Sequence, residues 1–284
     1  DITRTYYFRW WTYRKHLRRT PSGWVVSEFL PNVSWAGAEN TISCPFGHHV
    51  REGRWIRNGR YLDSYIDFML VKGALNGPRA YASWPAWASL ERAKVTGDYG
   101  FVTKRLAAYV KNYDAWEKGW TVKGLSLKQV ENRQGAKGVE VKTGYRTDRG
   151  LFDFAGDREG SEFALSDDGA RPMVNSAMWA EAAAIAEIAR RADDLATAEF
   201  FAGKAANLEK AVKAKLWNPT RAFFTSLSVA GEHDDVCELH GYTPWVYDIS
   251  DEDKGVAWAQ LFDSEGFKAP FGPTTRLQGF IRRP

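Results

Sequence analysis

Residues 171–219 read RPMVNSAMWAEAAAIAEIARRADDLATAEFFAGKAANLEKAVKAKLWNP. Apolar side chains recur at helical spacing after Pro172, and this pattern predicts a helix that begins with this proline and ends near Arg191. Asp193-Asp194 then supply the cap of a partner helix, which ends at the Asn-Pro pair of the last two positions. The stretch therefore predicts two long helices joined by a tight turn, a helical hairpin.

The same pattern occurs twice more along the chain. Pro85 begins a helix, and Gly97-Asp98 end it and cap a second one. A third, shorter pair of helices is expected over residues 243–247 and 251–262. Tight turns make the partners antiparallel, so the long loops emerge together at the opposite end. Repeated hairpins predict a mainly α fold, a solenoid or a closed (α/α) toroid, in preference to an ordinary helical bundle.

The N-terminal residues 1–58 differ from the rest, because they lack sustained helical periodicity and are dense in Trp, Gly, Pro and His. This composition predicts loops and short strands. Helical hairpins are expected over residues 59–284. We expect the two parts to form a single domain, in which the N-terminal segment contributes to the cleft that the long loops surround.

The overall composition excludes several classes of function. The chain has 39 basic and 35 acidic residues, a net charge of +4, and no sustained basic stripe typical of nucleic-acid binding. No apolar run reaches membrane-spanning length, and we expect no signal peptide before Asp1. Glycine-rich nucleotide loops, the serine nucleophile elbow and metal-ligand spacings are absent. We therefore expect a soluble protein without metal, cofactor, nucleic-acid or membrane partner, and the sequence predicts neither a compartment nor an oligomeric state.

Two N-terminal blocks combine arginine with aromatic and polar side chains, in a chain with 13 Trp. Interleaved arginine and tryptophan can stack on a sugar ring and bind its hydroxyls, or they can stack on each other as structural groups. Adjacent histidines diverge on a helix, so a shared metal is not expected, and they are read as sugar-binding or structural groups. The candidate substrate-binding residues of these blocks are Arg9, Trp10, Trp35, His48, His49, Glu52 and Arg54.

A loop dense in carboxylates precedes the hairpin of residues 171–219. Its sequence GDREGSE, residues 156–162, contains Asp157, Glu159 and Glu162. Glycosidic cleavage needs a protonated carboxylic acid beside the leaving oxygen, and an inverting enzyme has a second carboxylate roughly 6.5–9.5 Å away. Burial among aromatic residues raises the pKa of such an acid. Calcium binding is the alternative, although the spacing of a calcium loop is missing.

Longer motifs of the chain resemble a family of bacterial glycosidases. They are FRWWTYRKH at 8–16, EFLP at 28–31, WAG at 35–37, GHH and EGRW within 47–55, RP and NS within 171–176, GYTPW at 241–245, and GPTT at 272–275. The family comprises (α/α)6-barrel proteins related to mannosylglycerate hydrolase, processing α-glucosidase and trehalase. The resemblance covers almost the whole chain and implies a toroid of the six-hairpin glycosidase type.

The resemblance implies inversion of configuration by two carboxylates. The acid of this group follows a Gly-x pair in the loop before an inner helix, and Gly160-Ser161-Glu162 matches that pattern. Glu162 is therefore the expected acid, with Asp157 and Glu159 as the next candidates. The wider group commonly has Asp where this sequence has Glu162.

Three further residues complete the candidate substrate-binding set, namely Trp84, Arg171 and Asn175. Arg171 and Asn175 belong to the matched motifs, and Trp84 adds an aromatic side chain. Members of the group continue past the GPTT motif through further hairpins that bring the catalytic base, whereas this sequence ends at Pro284. A toroid limited to these residues is expected to be incomplete and to lack that base.

Three functions are compatible with these patterns. The favoured one is an exo-acting, inverting glycosidase. The alternatives are a non-catalytic carbohydrate-binding remnant, and an (α/α)-barrel epimerase or lyase in which His48, His49 or His240 carries the proton. The favoured function requires that residues 157–162 share one pocket with the N-terminal arginine–tryptophan block.

Overall fold

The computed structural model describes residues 1–73, 77–119, 121–124, 139–154, 159–160, 164–166 and 168–277. The fold is mainly helical, as the sequence predicts. The described helices are α1 (Ile2–His16), α2 (Phe46–Gly53), α3 (Arg60–Val71), α4 (Pro85–Thr96), α5 (Tyr99–Thr103), α6 (Leu106–Lys118), α7 (Pro172–Arg191), α8 (Leu195–Lys215) and α9 (Thr243–Val246). Among the described residues, no helix has the length and apolar character needed to cross a membrane.

The chain groups into two compact units. The first comprises Asp1–Tyr113 with Glu181–Ala202, and the second comprises Asp114–Ala180 with Gly203–Pro284. The predicted boundary at residue 58 falls within the first unit, and the division into an N-terminal segment and a hairpin region stays a prediction.

The hairpin that decides the fold is confirmed, although its second helix ends at Lys215, before the predicted Asn-Pro pair. Helix α7 ends at Arg191 and α8 begins at Leu195, with Asp193 in the turn at a φ of +58°. Asp194 caps α8, because its carboxylate accepts the backbone N–H of Thr197 at 3.0 Å. Thr225 donates its backbone N–H to the carbonyl of Leu216 just beyond α8. The tight turn thus follows from capping chemistry that is visible in the sequence.

The hairpin that starts at Pro85 is also present, with a break in its second helix. Gly97 ends α4 with a φ of +75°, and its N–H binds the carbonyl of Ala93 at 2.8 Å. Asp98 caps α5 by accepting the N–H of Phe101 at 3.1 Å. The predicted single second helix is wrong, because α5 ends at Thr103 and α6 begins at Leu106.

The N-terminal segment contains the expected short strands and, in addition, two helices. Strands β1 (Leu17–Thr20) and β2 (Gly23–Val26) form an antiparallel hairpin. Helices α1 and α2 were not predicted from the sequence. In the fully described helix α1, Tyr13 is the one buried side chain, so its residues do not follow the apolar periodicity of a core helix.

Short strands of the second unit form two small sheets and a hairpin. They are β3 (Thr121–Gly124) with β4 (Val139–Lys142); β5 (Gly144–Arg146), β6 (Leu151–Phe154), β7 (Gly169–Ala170) and β10 (Leu227–Ser228); and β8 (Trp217–Asn218) with β9 (Phe223–Phe224). The four-stranded sheet is antiparallel in the order β10-β7-β6-β5.

The third predicted hairpin takes a different form in the second unit. Its first helix is α9, and its second element is a 3₁₀ helix over Glu252–Leu261. This element packs on an apolar core through Ala257, and the carbonyl of Ala257 accepts the Tyr242 hydroxyl at 2.8 Å. The core residues buried together there are Phe223, Cys237, Tyr242, Ala257 and Phe267.

Candidate functional site

The first unit contains two cavities that share part of their walls. Their volumes are about 410 Å³ and about 490 Å³. Helices α1 and α2 contribute residues to both cavities, and β2 contributes Val26 to the smaller one. The shared residues are Arg9, Tyr13, His49 and Glu52. We call the two cavities together the α1–α2 groove.

An ion pair stands in the shared wall of the α1–α2 groove. Arg9 donates Nε–H to Glu52 Oε1 at 3.0 Å and Nη2–H to Glu52 Oε2 at 2.8 Å. The Arg9 and Glu52 side chains are 62% and 38% exposed. A pair so exposed adds little to stability. The fork instead holds a charged donor and a charged acceptor in fixed positions facing solvent.

His49 is held by a chain of polar contacts behind the groove. Its backbone carbonyl accepts the Tyr13 hydroxyl at 2.8 Å, and its Nδ1 lies 3.3 Å from the Tyr65 hydroxyl. The Tyr65 oxygen lies 3.3 Å from the Thr41 hydroxyl, which donates to the carbonyl of Val26. Burial, with smaller effects from neighbouring histidines, lowers the pKa of His49 to about 3. Its imidazole is therefore neutral near pH 7, with one nitrogen as donor and the other as acceptor.

His48 and Arg54 line the larger cavity together with aromatic side chains. Partial desolvation, together with the charge of Arg51, lowers the pKa of His48, so this imidazole is also neutral near pH 7. The guanidinium of Arg54 lies 5.3 Å from the ring centre of Trp55. The groove thus combines arginine donors, the carboxylates of Glu28 and Glu52, the imidazoles of His16, His48 and His49, and aromatic rings.

Trp84 lies behind His48 in an unusual backbone conformation. It precedes α4 with a φ of +27° and a ψ of 63°, in a region that non-glycine residues rarely occupy. Such a conformation costs on the order of 1–3 kcal/mol. Its indole is buried and meets the His48 ring edge-to-face with centroids 5.1 Å apart. Trp84 is not among the described residues that line the groove.

Comparison with known families identifies the chain. Residues 38–279 match the mannosylglycerate hydrolase MGH1-like glycoside hydrolase domain. The chain belongs to this family. The resemblance of the sequence motifs to glycosidases related to mannosylglycerate hydrolase is therefore confirmed, and so is the expected helical glycosidase fold. The matched residues include α2 and its side of the α1–α2 groove, whereas α1 precedes the match.

Solved structures extend the likeness of this MGH1-like domain over α1. A sialidase is 30% identical, with a TM-score of 0.80 over 97% of this chain and 24% of that chain. The GH78 family rhamnosidase of Bacillus sp. GL1 is 14% identical, with a TM-score of 0.55 over 78% of this chain and 23% of that chain, and shows a shared fold only. The chain spans about a quarter of each of these two proteins. A search among curated proteins finds no match.

Five predicted substrate-binding residues of the MGH1-like domain line the larger cavity. They are Arg9, His48, His49, Glu52 and Arg54. Two predicted tryptophans do not line the groove among its described residues. Trp10 packs edge-to-face on Tyr13 at 5.9 Å, and Trp35, 56% exposed, packs on Phe29 at 4.5 Å. Further residues line the groove without having been predicted as site residues, among them Tyr13, His16, Arg51, Phe8 and Trp55. The first two repeat every three or four positions after Arg9, a signal that becomes readable once α1 is known to be helical.

Of the candidate acids of the MGH1-like domain, Glu159 is described and belongs to the second unit. Glu162 and Asp157 fall outside the described residues. Glu159 is buried, and its Oε2 accepts Nε–H of Arg171 at 2.7 Å while its Oε1 accepts the backbone N–H of Val174 at 3.2 Å. The catalytic role of these carboxylates stays a prediction.

Arg171 and Asn175 both have buried partners at the start of α7. Arg171 is 0% exposed and donates to Glu159 and to the carbonyl of Ser166 at 3.3 Å. Asn175 accepts the N–H of Phe152 at 2.7 Å and donates to its carbonyl at 2.9 Å, which joins α7 to β6. Contact of either residue with substrate stays a prediction.

His240 and Glu238 form a second pair beside Arg171. His240 Nε2 lies 3.2 Å from Glu238 Oε2 and 3.5 Å from Arg171 Nη2. Glu238 also accepts the backbone N–H groups of Leu165 at 3.1 Å and Ser166 at 3.2 Å. Although burial opposes ionisation, His240 and the other partners lower the pKa of Glu238 to about 2. Among the described residues, no group of three His, Cys, Asp or Glu side chains is arranged to hold a metal ion.

Proposed function

We propose that this chain binds a carbohydrate in the α1–α2 groove and acts as a glycoside hydrolase. The observation that carries the proposal is the forked Arg9–Glu52 pair in the wall that both cavities share. Sugar hydroxyls donate and accept at once, so they suit a site where a guanidinium and a carboxylate stand side by side. Membership of a glycoside hydrolase family supports the same function.

The neutral imidazoles and aromatic rings of the groove suit a sugar as well. Neither imidazole adds charge: His48 offers a donor and an acceptor, and His49, whose Nδ1 lies beside the Tyr65 hydroxyl, offers its Nε2. Phe8 lines the smaller cavity and Trp55 the larger one, and each offers apolar surface to the C–H face of a pyranose ring. Burial of a ligand between such groups follows the usual composition of small-molecule sites.

For the chemical step, we propose Glu162 as the general acid of an exo-acting, inverting reaction. Asp157 and Glu159 remain the neighbouring candidates. Both oxygens of Glu159 are engaged by Arg171 and the amide of Val174, which makes it less suited to protonate a leaving group. The second carboxylate must stand roughly 6.5–9.5 Å from the acid to hold the attacking water.

The test is hydrolysis of a panel of 4-nitrophenyl α- and β-glycosides by the chain and by Glu162→Gln. The variant is expected to lose at least about 100-fold in kcat with its thermal melting unchanged, since general acid catalysis contributes roughly 10²–10⁴-fold. Glu199→Gln, an exposed carboxylate on α8, is the matched control and should keep full activity. Full activity of Glu162→Gln would move the acid to another residue.

Product analysis separates the remaining functions. Proton NMR during hydrolysis should detect the anomer opposite to that of the substrate, and release of single terminal sugars from an oligosaccharide would support exo action. Binding without product in calorimetry would favour a carbohydrate-binding domain. Unsaturated or epimerised products would favour a lyase or epimerase, with His48, His49 or His240 as the proton carrier.

A further inference from the structure

Two helices, α4 and α2, hold the strained backbone of Trp84 in place. On the carboxyl side, the turn leads directly into α4, where the carbonyl of Trp84 accepts the N–H of Ala88 at 3.2 Å. Pro85 follows, and a residue before proline is already restricted in its backbone angles. A conformation of this kind persists only where the surrounding structure fixes it, and such residues cluster at functional sites.

A buried carboxyl group holds the start of α4. Glu181, on α7 within the same unit, is 2% exposed, and its Oε1 accepts the backbone N–H of Trp87 at 2.8 Å. The first N–H groups of a helix have no partner inside the helix, so an acceptor in this position fixes where the helix begins. Glu181 therefore sets the position of the Trp84–Pro85 junction.

The indole of Trp84 also meets a residue with no side chain. A Cβ atom built on Gly47 would lie 2.1 Å from Nε1 of Trp84, so only glycine at this position of α2 admits the ring. The next residue, His48, packs its imidazole against the same indole at 85°. The start of α4 on one side and α2 on the other thus hold Trp84 in its strained backbone conformation.

We propose that Trp84 is a positioning residue for carbohydrate recognition, which fixes the imidazole of His48 in the wall of the α1–α2 groove. Glu181 supports it by holding the start of α4. The proposal rests on the proposed function, because His48 is the group that touches the sugar. Trp84 acts through His48 and makes no contact with the ligand, in contrast to the substrate-binding role expected from the sequence.

A double-mutant cycle tests this dependence. Calorimetry measures the affinity of the tightest-binding member of a panel of methyl α- and β-glycosides for the chain, Trp84→Phe, His48→Ala and the double variant. Each single variant should bind about tenfold more weakly, the size of one or two net hydrogen bonds. The double variant should bind no more weakly than His48→Ala. Losses that multiply in the double variant would overturn the proposal.

A second measurement does not need a bound sugar. NMR of the chain labelled at histidine should place the ring signals of His48 at a new position in Trp84→Phe and, to a smaller extent, in Glu181→Met, which removes the acceptor of the Trp87 N–H. Trp116→Phe is the matched control, because Trp116 is a buried indole of the second unit and its replacement should leave those signals unchanged. Unchanged His48 signals in Trp84→Phe would refute the proposal whatever the sugar does.

The two proposals fail in different ways. Absence of any glycoside binding by the unaltered chain would contradict the proposed function, and the His48 signals would still report on Trp84. Sugar binding that survives Trp84→Phe at full strength, in a variant with an unchanged melting temperature, would contradict the positioning role alone.

Discussion

Arg9 and Glu52 form an ion pair of 2.8 Å whose side chains are 62% and 38% exposed, whereas Arg171 and Glu159 form one of 2.7 Å whose side chains are both 0% exposed. The chemical partners are the same in the two units. The exposed pair faces a groove and gains little free energy from its attraction, because water and salt screen it. The buried pair is enclosed by protein, and each charge depends on the other. Burial, rather than residue type, distinguishes the two pairs.

The largest expected effect comes from breaking the buried pair. Glu159→Gln leaves the guanidinium of Arg171 without its counter-charge, and we expect the free energy of unfolding to fall by about 3–5 kcal/mol in urea denaturation. The double variant Glu159→Gln with Arg171→Met removes both charges and should recover most of that loss. A loss below about 1 kcal/mol in the single variant would mean that the pair is hydrated in solution.

Glu181 extends the comparison to a buried carboxylate held by backbone amides. Burial raises its pKa from the ordinary 4.5 to about 8, despite the amides of Trp87 and Ala86 that favour the ionised form. The folded chain therefore keeps a proton that the unfolded chain releases, so this contribution to stability is complete below pH 4.5 and is lost as pH rises to about 8.

The measurement is chemical denaturation at several pH values. The free energy of unfolding should fall by at most about 1.4 kcal/mol per pH unit across this window through Glu181 alone. Glu181→Gln cannot titrate, so the difference between the two proteins isolates the effect of Glu181. Equal pH dependence of the two proteins would show that Glu181 is ionised in the folded state.

The smallest effect on stability is expected at the exposed pair. Arg9→Ala should change the free energy of unfolding by less than about 1 kcal/mol, while calorimetry should detect about a tenfold loss of affinity for a methyl glycoside. Arg14→Ala is the matched control, because Arg14 lies on the same helix and lines a different cavity with Trp11 and Tyr61. If both variants lose affinity equally, general positive charge on α1 is responsible and not the fork with Glu52.

The sequence was informative where capping and apolar periodicity agree. Helices α7 and α8 were predicted with their turn, because Pro172 and the aspartates of the turn act locally. Helix α1 could not be predicted in the same way, since exposed aromatic side chains such as Tyr7 (67% exposed) and Trp11 (55% exposed) carry no periodic burial signal. The break between α5 and α6, at residues 104–105, likewise could not be predicted, because neither position is proline or glycine.

The groove was predictable only in part. Residues of α2 such as His48 and Glu52 were expected at the site from their types and from the family motifs, and they line it. Tyr13 and His16 were missed because their relation to Arg9 depends on the helical geometry of α1. Glu52 is partly exposed and Glu159 is buried because of contacts between residues far apart in the chain. The sequence alone does not reveal this difference in burial.

Helix α1 supplies one wall of the groove yet, in this fully described helix, anchors itself through a single buried side chain, Tyr13. Local unfolding begins where few apolar contacts hold a segment. Unfolding of α1 should therefore remove one wall of the groove while the rest of its unit stays folded. A ligand that bridges Arg9 and Glu52 would oppose this unfolding by mass action. Limited proteolysis within α1, slowed by added sugar, would thus report occupancy before any reaction product is identified.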